Sequence, residues 1–303
     1  MSGSQPHIPE PPWRKTTMTT NAASPIATPP LQIEAFAHVD HWIFDLDNTL
    51  YSHESQVWPQ VNQRITLFLQ ELFGLDGLSS HALRNYYYHR YGTTLNGLMA
   101  EHGVEPDDFL DFAHDVDLSL LEPDPALGAA IAALPGRKLI LTNGSVAHAR
   151  NVAGKLGIID HFEDVFDIVA AGFTPKPERS TYELFLAKHA VDPGRAAMFE
   201  DIEKNLLVPS ELGMKTVLII PQTPDPFREA WEQAAVEDGH ARNGHDRHGR
   251  PSSGPGFRGG HLRSDRLPDT VGAGLTFLPR TEKIILRSGG LRRLFLYRGR
   301  CRC

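Results

Sequence analysis

Two carboxylates two residues apart, Asp45 and Asp47, follow the short apolar run Trp42-Ile43-Phe44, and a hydroxyl, Thr49, stands two positions further on. A run of that length reads as a buried strand, and open α/β sheets hold their ligands beyond the carboxyl ends of such strands. The pair can divide labour there. Asp45 suits a nucleophile that attacks phosphorus to give an aspartyl-phosphate. Asp47 suits the acid that protonates the leaving oxygen and then the base that takes a proton from water. Thr49 would help hold the turn. A lone Asp-x-Asp suits a solvated turn equally well, so the catalytic reading depends on partners elsewhere in the chain.

Three further groups arrive in order. Thr142-Asn143 follows the strand-like Lys138-Leu139-Ile140-Leu141. There the Thr142 hydroxyl and nearby N–H groups can hold phosphate oxygens, helped by a helix starting near Val146. Lys176 lies between Pro175 and Pro177, which restrict the backbone and leave the side chain as the variable part. Its ammonium would neutralise a phosphate dianion and the Asp45 carboxylate. Glu200-Asp201 ends the run Ala196-Ala197-Met198-Phe199. Placed beside Asp45, one of these carboxylates completes an oxygen site for Mg²⁺. Asp201 is the better direct ligand, with Glu200 behind it or acting through water, and Asn205, one helical turn later, would orient Asp201. Phosphate-monoester hydrolysis can be accelerated up to ~10²¹-fold, whereas one general acid supplies only about 10²–10⁴. Metal, lysine and nucleophile must therefore share the task.

The elements that position these groups are readable as alternating patterns. Strand candidates lie at 41–45, 137–142, 166–170, 195–200 and 215–220, with helical patterns at 146–156, 178–189 and 203–212. The alternation predicts an α/β fold, a Rossmann-like doubly wound parallel sheet. Residues 57–123, between the first and second strands, are helical almost throughout. Val57, Val61, Ile65, Phe68 and Leu72 form one apolar face, Leu83, Tyr87 and Tyr91 a second, and Phe109, Phe112, Val116 and Leu120 a third. The expected organisation is a disordered leader over 1–37, a core of 38–56 and 124–238, a helical cap inserted after the first strand over 57–123, and a tail over 239–303.

Composition separates the tail from the rest. The net charge is −7, yet residues 239–303 hold 14 Lys+Arg against 4 Asp+Glu, and residues 1–238 carry a balance of −17. The change falls at Gly239, after a helical pattern at Asp225–Asp238. The tail is Gly/Arg/His-rich, and its apolar stretches Lys283-Ile284-Ile285-Leu286 and Leu294-Phe295-Leu296 are too short for a second core. Disorder outside the enzyme fold is expected for it. The cluster His240, His245 and His248 has no cysteine nearby and is not read as a zinc site. A nucleic-acid-binding role through the basic tail is the alternative of a different class, and no nucleic-acid partner is expected. The leader is Pro/Ser/Thr/Ala-rich without periodicity, and Met18 offers a second start. The only cysteines are Cys301 and Cys303, which excludes a disulfide framework. No run approaches the roughly 20 apolar residues of a membrane helix, and no signal peptide is visible. A cytoplasmic protein without a membrane partner is expected.

In this order and context the motifs resemble the haloacid dehalogenase superfamily of phosphatases over about 41–221. The resemblance implies Asp45 as nucleophile, Asp47 as acid/base, Thr142 and Lys176 as phosphate ligands, and Mg²⁺ held by Asp45, Asp201 and the backbone carbonyl of Asp47. Asp47 argues for phosphate chemistry, because the dehalogenase branch lacks that second aspartate. The stretches Phe44-Asp45-Leu46-Asp47-Asn48-Thr49-Leu50-Tyr51, Tyr91-Gly92-Thr93-Thr94-Leu95-Asn96-Gly97-Leu98 and Phe199-Glu200-Asp201 look more narrowly like the pyrimidine 5′-nucleotidase group. A Mg²⁺-dependent phosphomonoesterase for a small phosphorylated substrate is expected, with a pyrimidine nucleoside 5′-monophosphate preferred. Phosphoglycolate or a sugar phosphate is the alternative. Tyr91, Thr93 and Asn96 are candidate substrate contacts from the cap.

Overall fold

The computed structural model describes residues 36–221 and the backbone of 284–287. Six strands form one sheet: β1 (His41–Phe44), β2 (Arg137–Leu141), β3 (Asp164–Phe166), β4 (Ala196–Glu200), β5 (Lys215–Ile220) and β6 (Ile284–Arg287). All pairings are parallel and the order is β3-β2-β1-β4-β5-β6. The chain builds outward from β1 to β3 and then crosses back to β4. The topological switch point, where doubly wound sheets bind ligands, thus lies between β1 and β4.

Strand alternation sends side chains to both faces of the sheet. Trp42, Phe44 and Phe199 pack on one face, with Phe44 and Phe199 stacked at 4.7 Å. Ile43, Leu139, Leu141 and Met198 pack on the other. Burial on both faces explains why the strands read as nearly unbroken apolar runs. The covering helices include α5 (Pro125–Ala132), α6 (Val146–Lys155), α7 (Arg179–His189) and the short α8 (Leu207–Glu211), and those between β1 and β2 also include α1 (Val57–Phe73), α2 (Gly77–Tyr91), α3 (Thr94–His102) and α4 (Pro106–His114).

Helices α1–α4 share an apolar cluster around Leu69, Tyr87, Leu98 and Phe109, which also takes in Ile168 from beyond β3. Local signals set their limits. Asp76 caps α2 by accepting from the N–H groups of Leu78 and Ser79, and Thr93 caps α3 by accepting from that of Asn96. Gly97 lets α3 close on α2, since a Cβ there would lie 2.4 Å from the Tyr87 ring.

Several expectations need correction. The third strand is Asp164–Phe166, earlier than 166–170, because the Asp167 carboxylate accepts from the N–H groups of Ala170 and Val146 and turns the chain. Residues 203–212 form a 3₁₀ turn, Glu203–Leu206, leading into α8, with Pro209 removing a donor inside that helix. The third apolar face stops at His114. Asp117 beyond it accepts from the N–H of Ser119 in a local turn, and Leu120 is exposed. Phe36 and Ala37 are described, and Phe36 is buried 5.9 Å from Trp42, so the leader as drawn takes in a core side chain.

The expectation that the whole tail stands outside the fold is also corrected. Ile284–Arg287 pairs in parallel with β5, from Val217 opposite Ile284 to Ile220 opposite Arg287. The stretch is too short for a second core, but the outer edge of β5 offers unpaired backbone groups that four residues can satisfy. Residues 1–35, the pattern at 225–238, the histidine cluster and the remainder of 239–303 lie outside the described residues. Among the described residues no helix is long and apolar enough to cross a membrane.

Membership of Phe36 in the core can be measured directly. Phe36→Ala should cost about 3–5 kcal/mol in a denaturant melt, as buried Phe truncations do. A loss near zero would return residue 36 to the leader.

Candidate active site

Register brings the chemistry-bearing residues together. Phe44 lies opposite both Ile140 and Phe199, so the residues at or just past the ends of β1, β2 and β4 emerge side by side. These are Asp45, Thr142, Glu200 and Asp201. Two backbone bonds carry the sheet that far: Asp45 N–H donates to the Phe199 carbonyl at 2.9 Å, and Thr142 N–H to that of Phe166 at 3.0 Å. Asn48, at φ 57°, takes the left-handed turn conformation that asparagine tolerates. The Thr49 hydroxyl then reaches back to donate to Asp45 Oδ2 at 3.0 Å. Its task is wider than holding the turn, because it fixes the carboxylate itself.

Lys176 is buried, and its ammonium lies between two carboxylates. Nζ donates to Asp45 Oδ1 at 2.7 Å, Glu200 Oε2 at 2.7 Å and the Leu141 carbonyl at 3.0 Å. Three donors thus meet three acceptors. The Asn143 side chain clamps the Lys176 backbone: Oδ1 accepts its N–H at 2.8 Å and Nδ2 donates to its carbonyl at 3.2 Å. The amide expected to meet phosphate is engaged in holding the lysine. Asn205 also departs from expectation, since its Nδ2 donates to Glu200 Oε1 at 2.9 Å and so orients Glu200 rather than Asp201.

Asp45, Glu200 and Asp201 are all buried and present oxygens within 4.8 Å of one another. Burial and the nearby Glu200 charge raise Asp45 from its ordinary 3.8 to about 7, against the pull of Lys176. Burial alone would lower the Lys176 pKa, but Asp45 and Glu200 outweigh it and hold the ammonium charged. The three carboxylates form an all-oxygen donor set, which fits a hard divalent cation.

Asp47 turns away from this cluster. Its Oδ1 accepts from the Tyr51 hydroxyl at 2.5 Å and meets His148 Nε2 at 2.8 Å. A carboxylate only accepts, so Nε2 carries the hydrogen. Burial pushes the Asp47 pKa up, but the charge and hydrogen bond of His148, joined by the Tyr51 hydroxyl, outweigh it and bring it below the ordinary value. His114, at the end of α4, stacks on His148 with ring centres 4.4 Å apart, and its Nδ1 lies 3.0 Å from Ser145 Oγ. Burial and the charge of His148 push His114 down to about 3. Sequence reasoning missed Tyr51, His114 and His148. Tyr51 was readable, since it follows Asp47 by four residues as Thr49 follows Asp45. The histidines come from two distant helices and left no pattern.

Asp45, Asp47, Thr142, Asn143, Lys176, Glu200 and Asp201 line one cavity of ≈ 180 Å³. The helical insert supplies another wall, with Trp58, Tyr88 and Phe109 beside Asn62, Arg84 and Asn85. Of the three insert candidates, only Thr93 is on the lining. Asn96 Nδ2 donates to the carbonyls of Tyr91 and Phe173, pinning the α2–α3 turn to the core. The Tyr91 hydroxyl donates to Glu101.

The raised Asp45 pKa has a measurable consequence. The folded chain holds that proton more tightly than the unfolded one, so metal-free stability falls as pH rises from about 4 to about 7 and stays lower above. Asp45→Asn removes the effect. In EDTA the variant should melt above wild type at pH 8, with the gap closing towards pH 4. His114 acts oppositely, its contribution being present above pH 6.5 and lost as pH falls towards 3, but it is common to both proteins and cancels. A gap that is constant with pH would refute the assignment to Asp45.

Comparison with known proteins agrees with this geometry. A family model described as a haloacid dehalogenase-like hydrolase matches residues 39–210. "Phosphate metabolism protein 8" of Saccharomyces cerevisiae is 28% identical over 195 residues, which cover 58% of this chain and 60% of that protein. The match thus spans less than two thirds of the curated relative. Among solved structures, a HAD phosphatase from Thermococcus onnurineus is 17% identical with a TM-score of 0.43, covering 62% of this chain and 90% of that one. The L-2-haloacid dehalogenase from Xanthobacter autotrophicus is 21% identical with a TM-score of 0.39, covering 60% and 77%. With a family model spanning more than half of its length, the chain belongs to the haloacid dehalogenase-like hydrolases.

Proposed function

We propose that the protein is a Mg²⁺-dependent phosphomonoesterase that works through an aspartyl-phosphate on Asp45, with a pyrimidine nucleoside 5′-monophosphate as preferred substrate. One observation carries the reading. Two aspartates share a cavity but sit in opposite environments, Asp45 among carboxylates and an ammonium, Asp47 between a phenol and an imidazole. Both oxygens of Asp45 are aimed by Lys176 and Thr49 beside the other carboxylates, where a bound divalent cation would lower its pKa and leave it an anionic nucleophile, whereas Asp47 is held apart by Tyr51 and His148, so the two take different roles.

Thr49 and Lys176 orient the Asp45 carboxylate for in-line attack on phosphorus. The negative charge of the incoming phosphate raises the Asp47 pKa, so that Asp47 takes up a proton from solvent as substrate binds and passes it to the departing oxygen as the P–O bond breaks. Asp47 then takes a proton from the water that attacks the aspartyl-phosphate, which releases phosphate and restores Asp45. Thr142, buried at the cavity floor, offers its hydroxyl to a phosphate oxygen. Asp45, Asp201 and the Asp47 carbonyl would hold Mg²⁺, with Glu200 beside them, and the ion would neutralise phosphate charge during transfer. The insert wall fits a pyrimidine. Trp58, Tyr88 and Phe109 supply apolar area, the Asn62 and Asn85 amides suit the polar edge of the base, and Arg84, engaged with the Asn62 carbonyl and Asn85 Oδ1, adds positive charge to that wall. A protein held together without disulfides suits a cytoplasmic setting.

Asp45→Asn should lower kcat by about 10⁴-fold or more, in line with the ~10⁶-fold loss on removing a nucleophile. Retention of a hundredth of wild-type kcat excludes Asp45 as the nucleophile. A screen over UMP, CMP, sugar phosphates and phosphoglycolate should rank the pyrimidine nucleotides first by kcat/KM. Phosphoglycolate ranked first would transfer the role of Arg84 to a carboxylate.

Mg²⁺ should raise the melting temperature of EDTA-treated protein, by an amount equivalent to ~2.7 kcal/mol at a hundred times its Kd. Activity should vanish in EDTA, and Asp201→Asn should abolish the thermal shift at the same Mg²⁺ concentration. An unchanged melt together with full activity after confirmed metal removal contradicts the metal assignment.

A further inference from the structure

We propose that His148 is a positioning residue for the reaction, holding Asp47 with Oδ1 committed to the protein so that Oδ2 is the oxygen presented to the leaving group, and that His114 carries this constraint across from the helical insert. The inference rests on Asp47 being the acid/base of the function proposed above.

The geometry is specific. Asp47 Oδ1 has two partners, the Tyr51 hydroxyl from its own turn and His148 Nε2 from α6. Two hydrogen bonds occupy both lone pairs of one oxygen. That leaves Oδ2 to exchange a proton with substrate. The same two anchors fix the carboxylate rotamer, which a single hydrogen bond would leave free to swing about the other torsion. A misplacement of about 1 Å in such a group can cost ~10²-fold in rate.

His148 is itself held from three directions. It lies in the first turn of α6, where Ser145 Oγ accepts its backbone N–H at 3.2 Å. The same Oγ meets His114 Nδ1 at 3.0 Å. The imidazole of His114 then lies against that of His148, 17° from parallel. Gly144 lies against both rings, where a Cβ would sit in ordinary contact, 3.4 Å from His148 Cδ2 and 3.6 Å from His114 Nε2. His148 is 1% exposed. Only its Nε2 edge reaches the cavity groups, through Asp47, so the role is one of aim and not of contact with substrate. Because His114 belongs to the insert and Ser145 and His148 to the core, the position of the acid/base depends on the insert being seated.

The test is a leaving-group series at saturating Mg²⁺, from p-nitrophenyl phosphate to alkyl phosphates, with kcat and KM measured separately. A p-nitrophenolate leaves without a proton, whereas an alkoxide does not. Wild type, His148→Gln, His148→Leu, His114→Ala, Asp47→Asn and the double variant His148→Leu/Asp47→Asn are compared, with folding checked by thermal melts. Gln can place an N–H donor near the position of Nε2 and should keep activity within about threefold on every substrate. Leu should lose about 10- to 100-fold in kcat/KM on alkyl phosphates, within the 10²–10⁴ that a general acid supplies, and far less on p-nitrophenyl phosphate, because kcat/KM reports the steps up to departure of the leaving group and not the later hydrolysis common to all substrates. His114→Ala should show a smaller loss of the same pattern. His148→Leu should add nothing further in the Asp47→Asn background. Equal losses in kcat/KM on all leaving groups overturn the inference, as does a full additional loss in the double variant. If His148→Leu does not fold, failure of His148→Gln to retain the wild-type leaving-group profile overturns it. Should Asp47→Asn itself show no leaving-group dependence, the proposed role of Asp47 fails, and that outcome is separate from any result at His148.

Discussion

A buried ammonium between two buried carboxylates is the contact on which the site depends. Lys176 reaches Asp45 and Glu200 at 2.7 Å each and closes on the Leu141 carbonyl. An unpaired charge in such a place costs several kcal/mol, whereas a fully hydrogen-bonded one is tolerated. The lysine therefore lets two acidic strand ends lie side by side. Asp45 follows β1, Glu200 ends β4, and β2 supplies the carbonyl. Without that cation, the central strands would deliver repelling charges to one dry point.

The surroundings are arranged to hold that ammonium still. Asn143 grips the Lys176 backbone at both its N–H and its carbonyl. Asn205 holds the other oxygen of Glu200. Thr49 holds the other oxygen of Asp45. Each neighbour satisfies a polar atom that burial would otherwise leave costly. The donor set still suits a cation, with Asp201 the third member of the carboxylate cluster. The arrangement is stable enough to form and poised to take positive charge.

The insert contributes differently. Its helices cohere through their own apolar cluster, yet polar contacts also tie them to the core: Asn96 to the Phe173 carbonyl, His114 to Ser145 and His148, and Lys204 to the Tyr88 hydroxyl. The first pins the α2–α3 turn. The second ends beside Asp47. Substrate-facing and chemistry-facing halves of the cavity are thereby joined through named side chains, and apolar packing between insert and core is not the only link.

Local sequence determined a good deal of this. Short apolar runs ended by Asp45, Thr142 and Glu200-Asp201 identified strand ends in a parallel sheet, because burial on both faces leaves no polar alternation and strand ends carry the ligands. The caps at Asp76, Thr93 and Ser145 and the four-residue reach from Thr49 to Asp45 are also local, as is that from Tyr51 to Asp47. What only the tertiary structure decided was which polar atom meets which. Asn143 and Lys176 are 33 residues apart, and Asp47 and His148 are 101 apart. Sequence spacing is silent about such pairs, because strand order and register bring them together after the chain has crossed the sheet. Asn205 shows the limit from the other side. Its separation from Glu200 and from Asp201 differs by one residue, and only the direction of the chain past β4 settles that Glu200 receives the bond. The strand Ile284–Arg287 was unreadable for a related reason: three apolar residues and an arginine become a strand only where an edge such as that of β5 offers its unpaired backbone groups.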